Sequence, residues 1–553
     1  MMKKTTITLL LLLAFGLNSY CQNSMNSIRQ TYNFNSDWEL FIGEFQNKED
    51  IILPHSPSIM ERVGIKFVTL PHAFNEDEAF RVHIEQLTDT VVWYRKYFKL
   101  PASDKDKKVF IEFEGVRFAA EVYVNGEKVG LHENGVMAFG FDITDKIKYD
   151  AENLIAVRVD NSWNYHEKAT NSTFQWNNKN FNANYGGIPK NVFLHVTGSV
   201  YQTLPLYSNL KTTGTYIYAS DFNIKKKKAI IHAESEVKNE TSSVQNVGYE
   251  VVIEDIDKKE ICRFSGSEIT LKPNETEILY ASALVKNLHF WSWGYGYLYN
   301  IYTVLKINGK TVDVVKTLTG FRKTEFKNGM VYLNDRVIQL QGYAQRTSNE
   351  WPGVGMSVAP WLSDYSNRLM VEGNANMVRW MHVTPWKQDV ESCDRVGLMQ
   401  MFPAGDAEAD VKGRRWEQRT ELMRDAIIYN RNNPSVILFE CGNESISEEH
   451  MAEMKTIRDT FDPHGGRAIG SREMLDSKIA EYGGEMLYIN HSAAKPLIAT
   501  EYCRDEALRK YWDEFTPPFH KNGAGPLYRN ADASGYNRNQ DSFAKEEIIR
   551  WND

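Results

Sequence analysis

Arg431-Asn432-Asn433-Pro434-Ser435-Val436-Ile437-Leu438-Phe439-Glu440-Cys441-Gly442-Asn443-Glu444-Ser445 decides how this chain is read. A proline precedes a β-prone apolar run, and Gly-Asn-Glu ends it. Val436 to Phe439 carries no polar alternation, as expected of a parallel strand covered on both faces. Glu444 then falls at the C-terminal end of that strand. In a (β/α)8 barrel this is the face where reactive groups collect. Alone, a strand-end Glu is better read as a cap on the following helix.

A second run of the same design weighs against the cap. Lys495-Pro496-Leu497-Ile498-Ala499-Thr500-Glu501-Tyr502 is again proline, short apolar strand and glutamate. Two carboxyls on one barrel rim can converge across its mouth. Glycoside hydrolysis needs such a pair: one protonates the leaving oxygen, and the other attacks the anomeric carbon or activates water there. The sequence carries no distance between them, so retention and inversion both stay open from the residues alone.

The segment 432–445 resembles the acid/base signature of glycoside hydrolase family 2, the β-galactosidase, β-glucuronidase and β-mannosidase group. Pro496 to Tyr502 resembles that family's nucleophile strand. The resemblance extends over nearly the whole mature chain. It implies a retaining enzyme with Glu501 as nucleophile and Glu444 as acid/base. It also implies that Asn443 binds the sugar 2-hydroxyl, that Arg379 braces Glu501 and that His382 contacts the sugar. The last two lie in Arg379-Trp380-Met381-His382, at the end of a second strand. Tyr482 or Tyr488 would be the tyrosine that touches the nucleophile.

The chain departs from the family in two places. Gly342-Tyr343-Ala344-Gln345-Arg346 stands where β-galactosidase-like members carry a run ending in His, so Arg346 takes that position. A guanidinium there suits a carboxylate or sulfate on the sugar; a packing or ion-pair role is the alternative. Phe402-Pro403-Ala404-Gly405-Asp406 replaces the family's acidic pair. We therefore expect no required metal and no cofactor, and Asp406 remains a candidate sugar ligand. Trp351, Trp361, Trp386 and Trp512 are read as rim tryptophans that stack sugars or are buried. Asn180 and Asn182 lie in a polar loop that reaches towards the pocket in relatives.

The rest of the chain supplies a scaffold. At 553 residues it is too long for one domain. A net charge of −8 argues against nucleic-acid binding. Lys3, Lys4 and the apolar Ile7 to Leu17 read as a signal peptide cleaved after Cys21, which implies a secreted, periplasmic protein; a lipidated Cys21 is the alternative. No stretch is long and apolar enough to span a membrane. Four further cysteines, widely spaced, form no disulfide framework or zinc spacing and read as packing residues.

Residues 23–205 carry many short β-prone runs, with an Asn125-Gly126 hairpin, and read as a jelly-roll sugar-binding domain. Gly187-Ile188-Pro189-Lys190-Asn191-Val192 resembles its closing motif. Residues 206–322 read as an immunoglobulin-like sandwich acting as a spacer. From 323 to 553, strands alternate with helical segments as in a TIM barrel. Its strands are placed at Val337–Tyr343, Asn376–His382, Leu398–Phe402, Val436–Cys441, Arg467–Ser471, Ile479–Tyr482 and Leu497–Thr500. Helical spacing covers Tyr365–Glu372, Asp389–Val396, Arg415–Tyr429 and Gln540–Trp551. The sequence stops before an eighth strand, so we expect a fragment of a longer protein with an incomplete barrel; a compact variant with an open barrel is the alternative. The resemblance implies an exo-β-glycosidase acting on oligosaccharide or polysaccharide-derived substrates, β-galactosidase-like first. β-Glucuronidase-like specificity and an inactive carbohydrate-binding relative are the alternatives.

Overall fold

The computed structural model describes residues 27–45, 64–80, 86–174, 184–346, 356–403, 410–485 and 495–500. They form two antiparallel β-sandwiches followed by parallel βα units, as the sequence leads one to expect.

In the first sandwich a four-stranded sheet faces a six-stranded one. Trp38, Tyr94, Ile111, Phe113, Val122 and Phe139 fill the space between them. The Asn125-Gly126 hairpin forms as read: Val124 pairs with Glu127, and both turn residues take positive φ.

The second sandwich follows the same logic. Along Lys228–Asn239 every second residue is buried, so Ala229, Ile231, Ala233 and Val237 face the core. One boundary moves. Val200–Gln202 falls on the first-domain side of position 205, yet it pairs with Val237–Asn239 of the second sandwich. A three-stranded meander, Thr324–Lys327, Met330–Leu333 and Arg336–Ile338, then leads into the barrel.

Among the described residues, seven parallel strands make the barrel sheet, hydrogen-bonded in chain order. They are β1 (Gly342–Arg346), β2 (Met377–Met381), β3 (Met399–Pro403), β4 (Val436–Glu440), β5 (Ala468–Arg472), β6 (Tyr482–Glu485) and β7 (Leu497–Ala499). Helices α1 (Pro360–Glu372), α2 (Lys387–Val396), α3 (Arg414–Asn430) and α4 (Glu448–Phe461) connect them. The last of these was not anticipated.

Two strand positions need correction. The expected first strand, Val337–Tyr343, straddles two elements. Asn334 and Asp335 both take positive φ and turn the chain, so Arg336–Ile338 pairs antiparallel with Val331–Leu333. The barrel strand starts only at Gly342, opposite Met377. The sixth strand begins at Tyr482, where the expected run ended. Helix Gln540–Trp551 and the expected stop before strand eight lie outside the described residues.

The barrel strands present side chains to two apolar surroundings. Phe439, Cys441 and Ile469 pack outward beneath α3 and α4. Met377, Met401, Leu438 and Ala468 pack with Trp291, Leu298 and Leu333, which come from the second sandwich and the meander. These residues close the end of the barrel where its strands begin. Cys441 is wholly buried, and burial pushes its thiol up, which fits a packing role.

Candidate active site

The entry to β4 is held before any chemistry is considered. Asp394 of α2 is buried and accepts from the backbone N–H of Ser435 and the amide of Asn433. Arg467, opening β5, donates to the carbonyl of Asn433. The Asn433-Pro434-Ser435 turn is thus pinned from both sides, and β4 leaves it in a set register.

Beyond β4 the chain turns through Gly442-Asn443-Glu444. The hydroxyl of Ser471 on β5 lies 2.7 Å from both the Gly442 and the Glu444 carbonyls. Helix α4 is capped by Ser447, whose hydroxyl accepts from the His450 N–H at 3.2 Å. Glu444 is therefore not the cap, and the blander reading of that residue falls.

The Glu444 side chain is instead held by Arg472, the last residue of β5, through a charged hydrogen bond. Arg472 is 2% exposed and Glu444 about one third. Burial raises the Glu444 pKa above the usual carboxylate value, the Arg472 guanidinium opposes that shift, and the neighbouring Glu473 adds to it. A carboxyl kept protonated beyond its ordinary range can act as a general acid.

One strand back, a second cluster faces the barrel interior. Arg379 on β2 grips Glu440 on β4: its Nε lies 2.9 and 3.2 Å from the two carboxylate oxygens, and a terminal nitrogen lies 2.8 Å from one of them. The pair is almost wholly buried. Arg379 also donates to Oδ1 of Asn443 at 2.8 Å. His382 follows directly on β2, is buried, and is joined to Met381 by a cis peptide bond.

Arg379 lies midway along β2, and His382, Asn443 and Glu444 lie just past the C-terminal ends of β2 and β4, the two strands that flank β3. Arg346 ends β1 on the same edge, in register with Met381. Tyr482 differs. It opens β6 instead of ending it, is fully buried, and donates to the Phe439 carbonyl at 3.1 Å. It is part of the barrel's packing. Glu501, Asp406, Tyr488, Asn180, Asn182, Trp351 and Trp512 lie outside the described residues.

Trp386 is 2% exposed and packs against the first sandwich. A methyl group built on Gly115 would stand 2.0 Å from its ring. Beside it, the ammonium of Lys190 lies 4.6 Å from the ring centre and donates to the Met356 carbonyl. Trp361 is 69% exposed on α1.

Three residues here were not singled out from sequence: Glu440, Arg472 and Glu473. Glu440 had a signal, a carboxylate inside a run otherwise wholly apolar. Among the described residues no group of three or more His, Cys, Asp or Glu side chains could hold a metal ion. Nor is any helix among them long and apolar enough to cross a membrane.

Comparison with known proteins agrees with this architecture. Residues 68–194 match the glycosyl hydrolase 2 galactose-binding domain-like model, 215–322 the glycosyl hydrolases family 2 model, and 324–519 the family's TIM barrel domain. A β-glucuronidase of Formosa agariphila is 33% identical over 95% of this chain and 53% of its own length. A β-galactosidase of Bacteroides ovatus is 26% identical over 80% of this chain and 50% of its own. The chain thus spans about half the length of these curated relatives. Among solved structures, a β-glucuronidase from glycoside hydrolase family 2 superposes with a TM-score of 0.76 at 32% identity, covering 83% of this chain and 48% of that one. Three consecutive domain matches in the order of the three folded parts leave one conclusion: the chain is a member of glycosyl hydrolase family 2.

Proposed function

We propose that this protein is a retaining exo-β-glycosidase with Glu444 as acid/base and Glu501 as nucleophile. The observation that carries the reading is the setting of Glu444. It sits at the rim beyond β4, is not used as a helix cap, and is held by Arg472 with its proton affinity raised.

In the proposed reaction Glu501 attacks the anomeric carbon while Glu444 gives its proton to the departing oxygen. A glycosyl ester with Glu501 results. Glu444, now ionised, takes a proton from water, whose oxygen bonds to the anomeric carbon as the ester bond breaks. Asn443 binds the 2-hydroxyl.

For the sugar, the relative at 33% identity supports a terminal β-glucuronosyl residue ahead of the β-galactosyl residue that the motif comparison favoured. Relatives named β-galactosidases match at lower identity. The leader read at Lys3 to Leu17 supports action outside the cytoplasm.

The test is a panel of 4-nitrophenyl β-glucuronide, β-galactoside and β-mannoside. It is run with the wild-type chain, Glu444→Ala and Glu501→Ala. Turnover of the glucuronide that both substitutions abolish is the expected result. Turnover of the galactoside alone returns the specificity to β-galactosidase. No turnover of any glycoside, with glycan binding retained, makes the protein a binding relative.

A further inference from the structure

Asn443 meets the barrel through one atom with a fixed identity. A primary amide carries an acceptor and a donor on opposite sides of the same carbon. Arg379 has no acceptor, so the atom facing it at 2.8 Å is the Asn443 oxygen. The amide NH2 group consequently points away from the arginine. Which way this amide faces is therefore set by where Arg379 stands.

Arg379 in turn stands where Glu440 puts it. The guanidinium edge bearing Nε lies against both Glu440 oxygens, a two-point contact that fixes a plane as well as a distance. Arg379 and Glu440 are 3% and 1% exposed, so water does not compete for either group. Alternation along β4 aims Glu440 inward beside Arg379, while Phe439 and Cys441 on either side face the helices.

We propose that Glu440 is a positioning residue. Through Arg379 it orients the Asn443 amide so that its NH2 donates to the sugar 2-hydroxyl. This rests on the glycosidase reading above. Glu440 itself touches no substrate; its effect is to keep the amide from flipping and presenting an acceptor.

The experiment compares a 4-nitrophenyl β-glycoside that the wild type turns over with its 2-deoxy counterpart. Wild type, Asn443→Ala, Glu440→Gln and Arg379→Lys are measured, each with its melting temperature and circular dichroism. Glu440→Gln keeps the shape but loses the charge and the two-point grip. It should shrink the wild-type preference for the 2-hydroxy substrate by about 10- to 100-fold, the range of one charge-assisted hydrogen bond. Arg379→Lys, which keeps the charge opposite Glu440 but lacks the fork to Asn443, should shrink it similarly. In an Asn443→Ala background Glu440→Gln should change the preference no further. If Asn443→Ala removes the preference while Glu440→Gln and Arg379→Lys slow both substrates equally, the positioning role is wrong and the glycosidase reading stands. If the wild type turns over no 4-nitrophenyl β-glycoside of the panel above, both fall. Should Glu440→Gln fail to fold, Arg379→Lys alone decides between these outcomes.

Discussion

Arg472 reaches from the end of β5 to the carboxylate of Glu444 on the far side of the β4 turn, while Glu473, the next residue, stands beside the same carboxylate. Two adjacent residues thus act on one acid with opposite signs. In the proposed role Glu444 must be protonated to act as general acid, so the alkaline limb of kcat/KM should follow its pKa. Glu473→Gln removes a like charge, and the limb should move to lower pH. Arg472→Met removes an opposing charge, and the limb should move to higher pH. A pH–rate profile of each variant checks this; movement of both limbs in one direction would refute the assignment.

Protonation of the leaving oxygen matters most for a poor leaving group. Glu444→Gln should cost about 10²- to 10⁴-fold in kcat with an alkyl or sugar aglycone. With a 2,4-dinitrophenyl aglycone, which departs without help, the first step should be nearly unaffected. A leaving-group series that shows equal losses across all aglycones would remove Glu444 from the acid role.

Lys190 is buried between the first sandwich and the barrel, and burial lowers its pKa to about 7, below the ordinary lysine value. In the unfolded chain it titrates near 10.5. Between these values the unfolded state holds more protons, so this residue makes stability rise with pH from about 7 to about 10. The contribution is fully present above the unfolded value and lost as pH falls through the folded one. Lys190→Met should flatten that part of the curve, measured as melting temperature against pH relative to wild type.

Gly115 offers a steric test of the same junction. An added methyl would meet the Trp386 ring at 2.0 Å, and that ring is boxed in by Ala73, Leu87, Tyr185 and Met356. Gly115→Ala should destabilise by about 1–3 kcal/mol, the usual cost of overpacking. Because Trp386 lies four residues after His382, some loss of kcat should accompany the lower denaturation midpoint.

Asp462 and Arg467 form a buried pair at 2.7 Å, at the end of α4 and the start of β5. Asp462→Ala strands a guanidinium in the interior and should cost about 3–5 kcal/mol. Urea unfolding measures it.

Much of the barrel is legible because its strands are apolar runs with few polar interruptions. Val436–Glu440 and Leu497–Ala499 are read almost to the residue. Val337 and Ile338 mislead for the same reason: they are apolar and β-prone, but the Asn334-Asp335 turn sends them back along the meander. The charged contacts of the site are invisible for a different reason. Arg379 and Glu440 are 61 positions apart, and Arg472 and Glu444 are 28 apart. No local pattern connects them; Arg379 reaches Glu440 across the barrel from two strands away, and Arg472 meets Glu444 through the adjoining strand. Ser447 shows the local case. It caps a helix that was not anticipated from sequence, and that capping shows what Glu444 is not doing.

The packing of Trp291, Leu298 and Leu333 against Met377, Met401 and Leu438 stoppers the barrel at the end away from Glu444. In the proposed reaction a sugar ring bound beside Glu444 would sit above this apolar floor, and free monosaccharide should compete with incoming chains for that space.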